Sequence, residues 1–94
     1  DRRNRYLLLR QLLWELRGAY TLDVWRLNVS ITAQIDALIQ KEPDFKRRMA
    51  LLVLVRKPMI LYLSSPTIAG WQAVYDGARE WWHRERLRRR DGQN

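Results

Sequence analysis

Leu51-Leu52-Val53-Leu54-Val55-Arg56-Lys57-Pro58-Met59-Ile60-Leu61-Tyr62-Leu63 is the stretch on which the fold turns. Its two apolar runs flank a short polar break and can be read in two ways. As strands, Leu51–Val55 and Met59–Leu63 would pair around Arg56-Lys57-Pro58, giving an α+β protein with a hairpin at 51–63. As a helix, the first run would complete a segment opening at Pro43-Asp44, where proline is tolerated in a first turn and an acid complements the helix dipole. Phe45, Met49, Leu52 and Val53 would then form the buried face, and Pro58 would end the helix. Short buried apolar runs cannot be assigned by period alone. The helix is the reading adopted here, with the hairpin as its alternative. Either way, Met49–Leu63 is broken by charge and falls short of the ~20 residues needed to cross hydrocarbon, so it is expected to be core.

The segments on either side favour helices. Downstream, Ser65-Pro66 is a start signal, a serine N-cap followed by proline at the first helical position. Ile68, Trp71, Val74, Tyr75, Ala78, Trp81 and Trp82 then share one wide face, and Arg79, His83, Arg86 and Arg90 the polar side, to about Arg89. Gly70 and Gly77 each weaken this helix by about 1 kcal/mol relative to alanine, which points to close packing there. Upstream, Tyr6, Leu9, Leu13 and Leu16 are spaced three, four and three apart, Leu8 and Leu12 widen the stripe, and Gly18 is expected to stop it. Thr21 reads as an N-cap with Asp23 in the first turn, followed by Val24, Leu27, Ile31, Ile35 and Leu38. Trp25, Leu27, Val29 and Ile31 also alternate like a strand, but the helical period continues past Ile31 where the period of two fails.

The expected fold is therefore all-α, a compact bundle of about four helices near 3–17, 22–41, 44–57 and 66–89. A chain of 94 residues supports one core, so the expectation is a single domain over 1–94 with residues 1–2 and 91–94 frayed.

Catalytic chemistry finds little to work with. There is no cysteine, which removes disulfides, thiolate nucleophiles and Cys-containing zinc sites and leaves the redox compartment open, with the cell interior as the default location. His83 is the one histidine, and it sits among Arg79, Arg84 and Arg86 with no acid placed to orient it as a base. Glu80 and His83 have the spacing of a helical metal pair, but no second such pair exists, and Glu80 pairing with Arg84 four residues on is the simpler reading. The glycines stand singly, so no phosphate-cradling loop is present. No enzyme activity, cofactor, metal or small-molecule substrate is expected.

What remains is charge. The formal net charge is +8, and of 18 basic residues only Lys41, Lys46 and Lys57 are lysine. Guanidinium groups suit bidentate contact with phosphate or carboxylate. Basic residues gather at the start of the chain, at Lys46, Arg47 and Arg48, and at Arg84, Arg86, Arg88, Arg89 and Arg90, while Arg3, Arg10 and Arg17 recur every seven residues on one helix face. These are the candidate anion-binding residues. Neighbouring acids would quench some of them, Glu85 pairing with Arg89 for example. The expected partner is nucleic acid held by its backbone, because no zinc-finger ligands, aromatic RNP strand or long basic zipper supports readout of sequence. A second class is a protein-interaction module or homodimer, since Leu7, Trp14, Trp25 and one of Trp81 or Trp82, with Trp81 chosen, exceed what so small a core can hide. A membrane-surface helix is the less favoured third class.

Overall fold

Six helical stretches follow one another among the described residues: α1 (Arg2–Leu22), α2 (Trp25–Gln40), α3 (Phe45–Leu51), a π-helical turn (Leu52–Arg56) leading directly into α4 (Lys57–Ser64), and α5 (Ile68–Gly92). The computed structural model describes the backbone of residues 1–22 and 25–92 and the side chains of residues 1–19 and 26–89. Because α3, the π turn and α4 form one rod, the described residues make four helical rods and no strand, an all-α bundle with extents of 48 × 22 × 19 Å. The hairpin at 51–63 and the strand reading of 25–32 are both overturned.

The rod departs most from expectation, and Pro58 is the reason. Inside an α-helix, proline leaves the carbonyl four residues earlier without its donor and clashes with it. Here the helix does not end. It widens for one turn, with the Lys57 N–H reaching back to the Leu52 carbonyl, and Pro58 falls in the opening turn of α4, where a missing N–H costs least. The carbonyl that Pro58 cannot serve, Leu54's, points at α5 and fits there only because residue 77 is glycine: a Cβ built on Gly77 would overlap the Leu54 oxygen.

The π turn also keeps the buried face in line. Leu51, Val55 and Met59, each four residues apart, are buried together with Tyr62. In an uninterrupted α-helix such a row drifts roughly 40° around the axis per step; the wider turn keeps it facing the core. The expected core face is thereby corrected. Phe45, Met49 and Val53 are 66%, 42% and 60% exposed, and Leu52 is half-buried.

α1 keeps its expected stripe apart from Leu8, which is exposed, with Tyr6, Leu9, Leu12, Leu13 and Leu16 buried, but it does not stop at Gly18. One glycine weakens a helix by only about 1 kcal/mol, and continuing the helix buries Ala19 completely. Thr21 consequently belongs to α1 rather than capping α2, while Asp23 and Val24 lie outside the described residues. α2 contributes Ile31, Ile35 and Ile39, with Leu38 half-buried and Leu27 exposed. α5 opens two residues later than Ser65-Pro66 suggested, with the Thr67 hydroxyl accepting from the Gly70 N–H at 2.9 Å and Ser65 closing α4 instead, and it supplies Trp71, Val74, Ala78 and Trp81, whereas Ile68 is exposed.

Residues 1 and 2, expected to fray, are tied down. The Asp1 carboxylate accepts from the Arg3 N–H at 2.8 Å and so caps α1. Arg2 donates from Nε and Nη2 to the two carboxylate oxygens of buried Glu42, at 2.7 and 3.2 Å. At the other end α5 carries the helix to Gly92, through part of the tail expected to fray, and residues 93–94 lie outside the described residues.

Candidate functional site

α1 and α5 run antiparallel, which two contacts fix. The Tyr6 and Trp82 rings stack with centroids 4.9 Å apart and planes 10° from parallel. Further along, the Trp71 indole N–H donates to the Leu13 carbonyl at 2.6 Å. On α1, Arg3 and Arg10 are separated by two turns; on α5, Arg79, His83 and Arg86 follow at four and three residues. Antiparallel packing sets the two rows face to face. They line a groove of about 410 Å³ whose other walls are Tyr6, Leu7 and Trp82.

None of the described residues lining this groove is acidic, and all four guanidiniums are exposed. Asp76 and Glu80 line the neighbouring depression on the far side of Arg79 and His83. Both are engaged there, Asp76 accepting from the Gln72 amide at 2.9 Å and Glu80 from Arg84 Nε at 2.9 Å. Burial pushes the Tyr6 phenol above its ordinary range against the opposing pull of Arg10 and Arg79, so it stays neutral. The groove is an array of cations over an aromatic floor. Arg3 and Arg10, seven residues apart, are separated by ~10 Å of helix rise, about the rise of three nucleotides along one strand of B-DNA.

The groove gathers three of the residues anticipated from sequence, Arg3, Arg10 and Arg86, and adds Arg79 and His83. The others go elsewhere. Arg17 lies over the Trp14 and Trp71 rings at 5.5 and 5.3 Å, and Arg89 over Trp82 at 5.8 Å. Arg84 is held by Glu80, as its spacing suggested, and Arg88 lies close enough to help hold the Asp44 carboxyl below its usual range, where the main cause is the hydrogen bond from the Arg47 N–H. Arg47 turns inward: its Nε donates at 2.8 Å to Glu85, which is 3% exposed. That contact corrects the expected pairing of Glu85 with Arg89. Arg48 donates to the Glu42 carbonyl at 3.1 Å and covers the Phe45 ring, and Lys46 is exposed at the start of α3. The Arg90 side chain lies outside the described residues.

Of the expected interface residues, Trp81 is corrected to core, at 5% exposed. Half-buried Trp82 is the member of the pair that reaches the groove. Leu7 is exposed on the groove's edge, and Trp14 is exposed but packs on Trp71 and Tyr75 with centroids at 4.9 and 5.6 Å. The Trp25 side chain lies outside the described residues.

Against known protein families, curated proteins and solved structures, the chain has no match. Among the described residues, no helix is long and apolar enough to cross a membrane, and no group of three or more His, Cys, Asp or Glu is placed to hold a metal ion.

Proposed function

We propose that this chain is a non-enzymatic binding module whose α1–α5 groove holds an anionic partner, foremost a nucleic-acid backbone. The observation carrying this reading is the convergence of Arg3, Arg10, Arg79 and Arg86 on one groove with no acidic residue among its described lining. Exposed guanidiniums gathered on one groove attract phosphate, form bidentate hydrogen bonds with it and release condensed counterions. Nothing in the groove reads base edges in a fixed register, so binding follows the backbone rather than sequence. An intracellular setting goes with that partner.

Measuring affinity for a short single strand and a short duplex across salt concentrations tests the reading. Four phosphate contacts give a slope of log K against log salt of roughly −3 to −4. Arg79→Ala with Arg86→Ala should weaken both probes and flatten the slope by about 2. Unchanged affinity or an unchanged slope would refute it.

The alternative, a protein partner or second copy seated on Leu7 and Trp14, has less behind it. Trp14 is partly covered by Trp71, Tyr75 and Arg17, which leaves about half of it for a partner. If that reading held, Trp14→Ala would lower the mass measured by light scattering without unfolding the chain.

A further inference from the structure

The residues expected in the core but found outside make a second surface. Along the rod, Phe45, Met49, Val53, Lys57 and Leu61 form an outward row at four-residue steps, opposite the buried row of Leu51, Val55 and Met59. Phe45, Val53 and Leu61 are each 60% exposed or more, and exposed Ile60 widens the row. The same π turn that keeps the buried row on the core keeps this one in line.

The charge within the rod has one sign, and the Asp44 carboxylate that caps it is taken by the Arg47 N–H and guanidinium. From Phe45 to Ser64 the sequence holds Lys46, Arg47, Arg48, Arg56 and Lys57 and no aspartate or glutamate. Arg47 is held by Glu85, Arg48 by the Glu42 carbonyl, and Arg56 by Asp36 of α2 at 3.2 Å. Lys46 and Lys57 remain as exposed ammonium groups, one near the start of the row and one within it. An apolar row flanked by one lysine and interrupted by another, on a helix with no acid of its own, matches an interface that is apolar inside and anionic at its edge, because a lysine can extend its ammonium from the row to that edge.

We infer that the outer face of the α3–α4 rod seats on the surface of an anionic lipid bilayer. The rod lies flat, Phe45, Met49, Val53 and Leu61 enter the boundary between headgroups and acyl chains, and Lys46 and Lys57 meet headgroup phosphates. A second copy fits the same face less well. Pairing two such rods would set lysines against lysines, with no carboxylate on either rod to answer them and the neighbouring Asp36 already taken by Arg56. The protein's charge of +8 adds long-range repulsion between copies and attraction to an anionic leaflet. The surface lies on different helices from the α1–α5 groove and does not depend on what that groove binds.

Co-sedimentation with vesicles tests this, using pure phosphatidylcholine and phosphatidylcholine with one part in three phosphatidylglycerol. The wild-type chain should bind the anionic vesicles at least about tenfold more tightly than the neutral ones. Val53→Glu with Leu61→Glu should reduce that binding at least about tenfold while leaving oligonucleotide affinity within about twofold; both positions are largely exposed, so the fold should tolerate the change. Arg79→Ala with Arg86→Ala should do the reverse. If the double glutamate variant loses its helical circular dichroism, Lys46→Glu with Lys57→Glu replaces it and should likewise abolish the preference for anionic vesicles. The inference is overturned if wild type sediments with neither vesicle, or if folded rod variants bind as wild type does. It is equally overturned if their only change is a lower mass by light scattering, which would assign the row to a second copy.

Discussion

Gly77 of α5 stands so close to the Leu54 carbonyl that no Cβ fits between them. Pro58 leaves that carbonyl without its usual donor, it lies within the π turn facing α5, and glycine on that helix lets it approach. Three features that look unrelated in the sequence therefore make one joint between the rod and α5.

Gly77→Ala should accordingly be among the most damaging single changes in the chain. The obstacle is backbone, so relief requires moving a helix, and a loss of about 2 kcal/mol or more is expected. In a domain this size that lowers Tm by roughly 10 °C. Gly18→Ala is the control: an exposed glycine inside α1 whose added methyl meets nothing within 4 Å. It should stabilise by about 0.5–1 kcal/mol through helix propensity. Thermal melts of both variants decide the matter, and a Gly77→Ala variant as stable as wild type would disprove the joint.

Acid should weaken the fold through Glu42. Burial would raise its carboxyl, but hydrogen bonds from Arg2 and the Asp44 N–H and the nearby charges of Arg2 and Arg5 outweigh this and hold it below the usual carboxylate range. A group with a depressed folded pKa contributes stability in full above its unfolded pKa, ~4.3 for glutamate, and loses it as pH falls through the folded value. Urea unfolding measured from neutral pH down should show stability declining below about pH 4 to 5. Glu42→Gln should shallow that decline while lowering stability at neutral pH, and an identical pH profile for the variant would exclude Glu42 as the source.

The second buried carboxylate predicts an asymmetry. Arg47→Ala strips buried Glu85 of its hydrogen-bonded guanidinium, leaving only the more distant charge of Arg2, and should cost about 3 kcal/mol, near the lower end for a broken buried pair because Arg47 keeps some solvent contact. Adding Glu85→Gln to Arg47→Ala removes the stranded charge and should restore part of the loss. A double variant less stable than Arg47→Ala alone would show that the charge is not the cost.

Periodicity made most of the bundle legible. Most of the α1 stripe, the run from Trp71 to Trp81 and a helix start near Asp44 follow from residue type and spacing, although Asp44 is the N-cap, its carboxylate accepting from the Arg47 N–H at 2.9 Å, and Pro43 precedes the helix instead of lying in its first turn. The rod's buried face did not follow, because Phe45, Met49 and Val53 and the row of Leu51, Val55 and Met59 are both apolar at helical spacing, and packing against α5 rather than period selects the second. Gly77 marked a close approach in the sequence, but what approaches it is set by packing. Half the groove was legible in the same sense: Arg3 with Arg10, and Arg79, His83 and Arg86, each share a helix face by spacing. That the two faces oppose one another depends on Tyr6 finding Trp82. The buried pairs Arg2–Glu42 and Arg47–Glu85 join residues about 40 positions apart, beyond any helical spacing rule.

Net charge and geometry make separable claims about the groove, and one pair of variants divides them. Arg79→Ala and Arg26→Ala each remove a single positive charge, but Arg79 lines the groove while Arg26 is an exposed residue of α2 outside it. If binding reflected only the overall +8, the two would weaken an oligonucleotide equally and change its salt dependence equally. Localised phosphate contacts predict otherwise. Arg79→Ala should lower affinity by about 1–2 kcal/mol at low salt and reduce the salt slope by about 1, whereas Arg26→Ala should leave the slope within error. Fluorescence anisotropy titrations at several salt concentrations would distinguish them, and equal slopes for the two variants would mean that the groove is not where the anion sits.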